Sequence, residues 1–567
     1  MQARFSGVSI THIILLHILT GAGLMMWDHR FITDDAYISF TYARNMAEGH
    51  GLVWYPGSAE YGYTSFLFTL LVGLLIKLGI AVPAAAYLIS VPAALAGLWL
   101  VYRIGKESTG APLAGFLAMA AMASNVTYAA YATSGLETAL ALCFVLATYE
   151  ALTRWFNSRQ DFILWQVGAW TALALLTRLD SALLLMPVYG MCMYVLLAEY
   201  CKRSAGLSHL LYALLKIGAP PLLCVAMMIG FALAQYGQPL PNSFYVKMQG
   251  NNIMYGLQYL HTFLKAQHYM PVWLFVLWFA LAGRDDFDWQ RWNMRLAWLG
   301  AVLLWLSYML AAGGDYMEFR FILPMLPFFY LLMFDLIIGA QARRTFLPVV
   351  VASSLVIVGN LLQPGYFYYN PMDKNHLEST RNLDRWLTRP DRNWMQVGKK
   401  LHEYFYTGAA DDVHIAVTAA GAVPYFAQLP TTDVHGLNSR KVLEHARQYI
   451  DKPGHRLKAK NAYLMDAGVN LIIDHPMYVL ATQNGSKLTY KCLDAHYLRT
   501  HNGLWDIPLV IITLHDDLFL LAHYLTPHPR IEALIKTGDI HYLAPLLAHV
   551  ECGSILKRIL EKSAKSP

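Results

Sequence analysis

The sequence predicts a polytopic α-helical membrane protein with a C-terminal extracytoplasmic α/β domain. Three observations predict it. The 567 residues are 56% hydrophobic and only 14% charged, with a mean hydropathy of +0.36. That composition excludes a disordered chain, a small disulfide scaffold and an ordinary soluble domain. The charge is unevenly divided: residues 1–362 hold 37 of the 80 charged side chains, and residues 363–567 hold the other 43. Finally, apolar runs approaching the roughly 20 residues needed to cross a bilayer recur through the first stretch only.

Taken in order, about 11 spans are predicted, at 8–27, 83–102, 112–131, 136–153, 162–177, 181–200, 209–235, 271–283, 296–312, 321–340 and 346–362. The first is long and is followed by no small-residue cleavage site, so it reads as a signal anchor rather than a cleaved signal peptide. The stretch 66–80 (FLFTLLVGLLIKLGI) holds 15 residues and carries Lys77, which predicts a re-entrant or interfacial helix. Cationic residues set the orientation. Twelve in short segments, among them Arg4, Arg103, Lys106, Arg154, Arg295 and Arg343, fall on one side, and seven fall on the other. The N-terminus is therefore expected to be cytoplasmic and the region after 363 extracytoplasmic. The expected domains are a transmembrane domain, 1–362, including the first outer loop 27–65 and the interfacial helix 66–80, and a soluble domain, 363–567.

The soluble part mixes helix-like segments (375–406, 438–450, 530–549) with strand-like runs at 413–417 and 470–474, hence an α/β domain. It contains 14 of the 21 histidines, scattered as solvated or helix-capping residues would be. Cys143, Cys192, Cys201 and Cys224 lie in or beside apolar segments and read as packing residues. Cys492 and Cys552 lie in the soluble part and could pair in an oxidising compartment. The net charge of +6 comes with no basic run, so no nucleic-acid partner is expected. No Walker loop, GxGxxG, HExxH, GxSxG or zinc spacing stands in a credible context, which argues against an ATP-driven pump or a Rossmann-type nucleotide-sugar enzyme.

The chemistry is expected in the outer loops. Acids cluster there, including Asp28, Asp34, Asp35, Glu60, Glu137, Asp180, Asp315 and Glu318. Acids at the mouth of a bundle are costly unless paired or wetted, so their convergence suggests a polar cavity. Asp34 and Asp35 stand just before a predicted helix. One reading makes Thr33 or Asp34 its N-cap. The other makes the pair catalytic: one carboxylate takes a proton from a sugar hydroxyl and the other orients substrate or binds a cation. The glycines and aromatic residues of 49–65 suit tight turns and sugar stacking. In GGDYMEFRF (313–321), Arg320 either binds a phosphate or pairs with Asp315 or Glu318. Lys247, in PLPNSFYVK (239–247), lies on the same side, as do TRLD (177–180) and SGLET (134–138). The Asp433–Gly436 turn either contacts substrate or is structural.

These residues resemble a known family. A first span followed by an acidic pair in a long outer loop is the hallmark of GT-C glycosyltransferases. The string DDAYISFTYARNMAEGHGLVWYPG, then EYGYTSFLF, resembles the actinobacterial cell-wall arabinofuranosyltransferase B family and its proteobacterial relatives. So do GGDYMEFRFILPMLP, PLPNSFYVK, AAGAVPYFAQLPTTDVHGLN (419–438) and PGHRLKAKNAYLMDAGVNLIID (453–474). The resemblance implies an inverting enzyme of the bacterial inner membrane. It would move a sugar, arabinofuranose in that family, from a polyprenyl-phosphate donor to a glycan or glycolipid acceptor on the outer face. It implies Asp34 and Asp35 as the catalytic pair, Arg320 and Lys247 as phosphate-binding residues, and Asp315, Glu60 and Tyr63 as substrate contacts. Asp34 and Asp35 also offer oxygen ligands to a divalent metal, but no complete ligand set is readable, and no obligatory cofactor is expected.

Three other classes compete. A flippase of lipid-linked sugars would place its polar groups nearer the midplane. An oligosaccharide ligase or polymerase would share the architecture but transfer a longer glycan. A binding protein with a degenerate site would have no need of both aspartates.

Overall fold

A computed structural model describes the whole chain except residues 1–9, 111, 203–205, 248–251, 282–288, 341–345, 370–376, 390–392, 410–411, 449–455, 481–482, 485–486, 489–506, 516–517 and 544–567. Cys492 and Cys552 lie outside the described residues. The chain divides into two compact units that are not contiguous in sequence. One comprises 1–32, 64–239 and 250–383; the other comprises 33–63, 240–249 and 384–567. Residues 33–63, most of the loop after the first helix, thus belong to the same unit as the C-terminal segment.

Among its described residues, the helical unit contains seven helices long and apolar enough to cross a membrane: Ile10–Asp28, Ala84–Thr109, Thr138–Ser158, Ser181–Cys201, Leu207–Tyr236, Trp292–Ala312 and Leu347–Tyr366. Each coincides with a predicted span, and the chain is a multi-pass membrane protein. Four other predicted spans are shorter helices. The 112–131 stretch breaks into Pro112–Ala123 and Val126–Tyr131 because Asn125 caps the second piece, its side chain accepting from the Tyr128 N–H at 3.0 Å. The 321–340 stretch begins with a 3₁₀ turn, Leu323–Met325, before Leu326–Ala340. Phe162–Thr177 and Met270–Leu281 have 16 and 12 residues. Phe66–Lys77 also has 12 residues. At 1.5 Å per residue that is about 18 Å, well short of the roughly 30 Å hydrocarbon layer.

Between these helices several buried polar groups meet in a chain of contacts. Asn125 Nδ2 donates to Asn360 Oδ1 at 3.0 Å. Gln363 Nε2 donates to Thr127 Oγ1 at 2.7 Å and to Glu318 Oε1 at 2.9 Å. Away from water such bonds are costly to leave unmade, so they fix the last long helix in register.

The mixed unit is built on a six-stranded sheet, in the order Ile540–Leu543, Leu509–His515, Leu518–Tyr524, Leu471–Leu480, Ile415–Val417, Thr431–Asp433. The last three strands are mutually parallel and the rest antiparallel. Its core holds Ala416, Val434, Val442, Leu464, Val469 and Ile472. The strand-like runs at 413–417 and 470–474 are strands. The helix-like segments are shorter than expected. Thr380–Thr388 and Trp394–Phe405 stand in place of one helix over 375–406. Arg440–His445 gives way to the strand Ala446–Gln448. Pro529–Thr537 stops at Gly538, whose φ of +82° ends the helix, and a strand follows. That helix starts with a capping histidine: His528 accepts from the Arg530 N–H.

Candidate active site

The loop after the first helix places the acidic pair. Residues Ala36–Ala47 form a helix whose buried face carries Tyr37, Phe40, Thr41 and Ala43. Asp35 occupies its N-cap position but makes no side-chain cap bond. Asp34 does not cap this helix either; it reaches a segment nearly four hundred residues away. Its Oδ1 accepts from the Ala422 N–H at 2.7 Å and its Oδ2 from the Gly421 N–H at 3.1 Å. These amides begin the short helix Ala422–Ala427 and have no partner within it. Neither cap assignment made from the sequence holds: the Asp34 carboxylate meets a donor pair in the tertiary fold, and the Thr33 hydroxyl makes no hydrogen bond.

The surface of Asp34 is only partly covered, yet protein packs closely around its carboxyl group. Burial, aided by the neighbouring charge of Asp35, pushes it up to about 7, against the lowering effect of the two amide hydrogen bonds. A carboxylate poised near neutrality with spare lone pairs suits a general base.

Glu60 makes a parallel contact. Its Oε2 accepts from the Arg440 N–H at 2.8 Å and from Asn242 Nδ2 at 3.2 Å, and burial raises its pKa. Asn242 also donates its N–H to the Tyr61 carbonyl at 2.8 Å. The segment ending in Lys247, the last residue of the helix Asn242–Lys247, is thereby joined to the first loop. Tyr42 ties the loop to itself, donating to the Glu60 carbonyl at 2.8 Å and accepting from the Gly62 N–H at 2.9 Å. A Cβ on Gly62 would lie 1.7 Å from Asn438 Oδ1, so the glycine permits a close approach.

The aromatic residues expected as stacking platforms mostly form the loop's own core. Trp54, Tyr61 and Tyr63 are all buried. Tyr63 is packed between Tyr42, with ring centroids 4.8 Å apart, and Tyr61, at 5.1 Å. The Asp433–Gly436 turn is structural: the buried Asp433 carboxylate accepts from the N–H groups of His435 and Asn438, both at 2.9 Å.

Arg320 and Asp315 belong to the helical unit. Arg320 Nε donates to Asp315 Oδ2 at 2.6 Å, with both side chains less than 10% exposed. Of the two acids the sequence offered as partners, Asp315 is the one used; Glu318 instead accepts from the Thr380 N–H and hydroxyl. Arg320 lines a cavity with Arg178, Asp180, Thr138, Trp305 and Phe321. Arg178 binds Asp180 in a two-pronged pair, through Nε at 2.9 Å and Nη2 at 2.5 Å, and reaches Glu137 through Nη1 at 2.5 Å. The helix ends bring these groups together: Glu137 and Asp180 precede Thr138–Ser158 and Ser181–Cys201, and Arg178 follows Phe162–Thr177. Sequence reasoning put TRLD and SGLET on the outer side and counted Glu137 and Asp180 among the acids of a polar cavity, but did not single out Arg178.

Among the described residues, no three His, Cys, Asp or Glu side chains cluster as a metal site would require. The predicted residues therefore fall into two groups. Asp34, Asp35, Glu60, Tyr63 and Lys247 lie in the mixed unit; Arg320 and Asp315 lie in the helical unit.

Together these features define a polytopic membrane protein of GT-C fold with a strand-containing C-terminal domain. The solved structure of ArnT from Cupriavidus metallidurans bound to undecaprenyl phosphate aligns with a TM-score of 0.52 and 10% identity, covering 91% of this chain and 98% of that one. ArnT in the apo state aligns at 0.51 and 12%, covering 90% and 97%. The archaeal oligosaccharyltransferase AglB from Archaeoglobus fulgidus gives 0.48 and 10%, covering 81% of this chain and 69% of that one. Residues 382–515 match a family described as a domain of unknown function (DUF8728). No curated protein matches the sequence.

Proposed function

We propose that this protein is an inverting glycosyltransferase that moves a sugar from a polyprenyl-phosphate donor to a hydroxyl of an envelope glycan or glycolipid on the outer face of the bacterial inner membrane. The observation that carries the reading is Asp34. It is a first-loop carboxylate pushed up to about 7 in a fold shared with ArnT, a protein solved with undecaprenyl phosphate bound.

The reaction is a single displacement. The acceptor oxygen attacks the anomeric carbon, the bond from that carbon to the phosphate oxygen breaks, and Asp34 takes the acceptor's proton. Polyprenyl phosphate departs with the electron pair, already a good leaving group, so no acid is required. Asp35 orients the acceptor. Arg320 contacts the donor phosphate, with Lys247 as a second cation. Two guanidiniums, Arg178 and Arg320, face three carboxylates, Glu137, Asp180 and Asp315. An arriving phosphate therefore competes with Asp315 for Arg320, and binding requires the arginine to redistribute its hydrogen bonds. Arabinofuranose is the first sugar to test.

The test is transfer of radiolabelled sugar from polyprenyl-phosphate arabinofuranose, then from pentose and hexose analogues, by purified protein. Asp34→Asn is expected to bind donor but lose turnover by about 10²-fold or more. Wild-type turnover in Asp34→Asn would overturn the base assignment. Lipid movement across liposomes without transfer would replace the enzyme reading with a transporter.

A further inference from the structure

We propose that the backbone amides of Gly421 and Ala422 are part of the catalytic apparatus: they position Asp34, and the side-chain-free backbone at 421 is what allows them to. The catalytic half of this statement rests on the function proposed above.

The contact is close. A Cβ built on Gly421 would lie 1.9 Å from the Asp34 carbonyl oxygen and 2.6 Å from its Cγ. No other residue type fits there without displacing Asp34, and real Cβ atoms do not approach backbone at such distances. The two amides then close on separate oxygens of one carboxylate, at 3.1 and 2.7 Å. A carboxylate held by one bond can swing about χ2, whereas one held through both oxygens cannot.

The grip continues along the helix that follows. Tyr37 packs on Tyr425 and Phe426, with centroids at 5.1 and 5.5 Å. Arg44 lies over the Tyr425 ring at 4.5 Å and donates to the Tyr425 carbonyl at 2.5 Å. The segment Gly421–Phe426 thus holds the Ala36–Ala47 helix at Tyr37 and Arg44, and Asp34 just before it. Anchoring alone would be served by the aromatic and arginine contacts. The additional two-point hold on Asp34 restrains the one group whose placement to within an ångström decides proton transfer.

A double-mutant cycle with a second, activity-independent readout tests this. Ala422→Pro deletes one amide at the first helical position, where proline is tolerated; Gly421→Ala displaces the carboxylate sterically. Each is combined with Asp34→Asn, and kcat and donor KM are measured on monodisperse protein. Both variants are expected to lower kcat about 10- to 100-fold with donor KM within about threefold of wild type, and to add nothing in the Asp34→Asn background. A further loss in that background, or wild-type kcat in both single variants, would refute the positioning role while leaving the base assignment standing. Wild-type kcat in Asp34→Asn would refute the base assignment in that arm alone.

The independent readout is hydrogen exchange of peptides covering 420–427. Amides at a helix start have no intrahelical acceptor, so protection at 421 and 422 must come from Asp34. It is expected in wild type and lost in Asp34→Ala, with the rest of the helix unchanged. Equal exchange in the two proteins would refute the cradle itself, whatever the activity shows and whether or not the 421 and 422 variants fold.

Discussion

If Asp34 is the base, transfer rates must follow its ionisation. Its carboxyl stands at about 7, raised by burial and by Asp35 and lowered by the Gly421 and Ala422 amides. The base works ionised, so activity falls as pH falls. At pH 6 about one enzyme in eleven carries the ionised form, and at pH 8 about ten in eleven. kcat/KM is therefore expected to rise roughly tenfold between these pH values along a single-proton limb centred near 7. Replacing Asp35 provides a signed control. Its charge raises Asp34, so Asp35→Asn must move the limb to lower pH, whatever it does to the plateau. Ala422→Pro must move it upward, because an amide that favours the charged form is gone. Initial rates of sugar transfer from pH 5.5 to 9, at saturating and limiting donor, give both kcat and kcat/KM. A limb centred at or below pH 5, or an upward move in Asp35→Asn, would refute the assignment of Asp34 as base.

The same carboxyl makes stability depend on pH. Raised in the folded state from its ordinary 3.8 to about 7, it is bound to its proton more tightly in the folded chain. The associated stability is fully present below pH 4 and is lost as pH rises towards 7, an upper bound of about 4 kcal/mol. The thermal midpoint should fall over this range, and that part of the fall should be missing in Asp34→Asn. Gly62→Ala, with its Cβ 1.7 Å from Asn438 Oδ1, is expected to destabilise by about 1–3 kcal/mol, read as a lower midpoint; an unchanged midpoint would show that the loop can yield there. Arg320→Gln alone strands the buried Asp315, so Arg320→Gln is paired with Asp315→Asn; donor KM should rise about 10- to 100-fold with kcat little changed, and an unaltered KM would remove Arg320 from the donor site. Turnover should survive chelation with EDTA; a loss restored by Mg²⁺ or Mn²⁺ would instead make Asp34 and Asp35 metal ligands.

Much of the fold was legible because long apolar helices are a local property. Seven predicted spans coincide with long helices, since about 20 apolar residues can satisfy their backbone only as helix in lipid. The predictions weakened where one side chain or turn intervened. Asn125 breaks the third expected span by capping a new helix, and Gly538 turns an expected 20-residue helix into a helix and a strand. Each signal was present in the sequence as a single residue, against a favourable composition on both sides of it.

The candidate site divides differently. The sequence by itself singled out the candidates for chemistry: the acidic pair and the arginine with an acid five residues before it by residue type and position, and Glu60 by the family resemblance. Only the tertiary structure decided what each does locally. It took Asp34 from helix cap to a carboxylate held by amides of a distant segment, Arg320 to Asp315 rather than Glu318, and Trp54, Tyr61 and Tyr63 from stacking surface to buried packing. It also brought in Gly421 and Arg178. The physical reason is that a backbone N–H has no residue-type signature. Any residue except proline supplies one, and which carboxylate it meets depends on how chain segments hundreds of residues apart pack together.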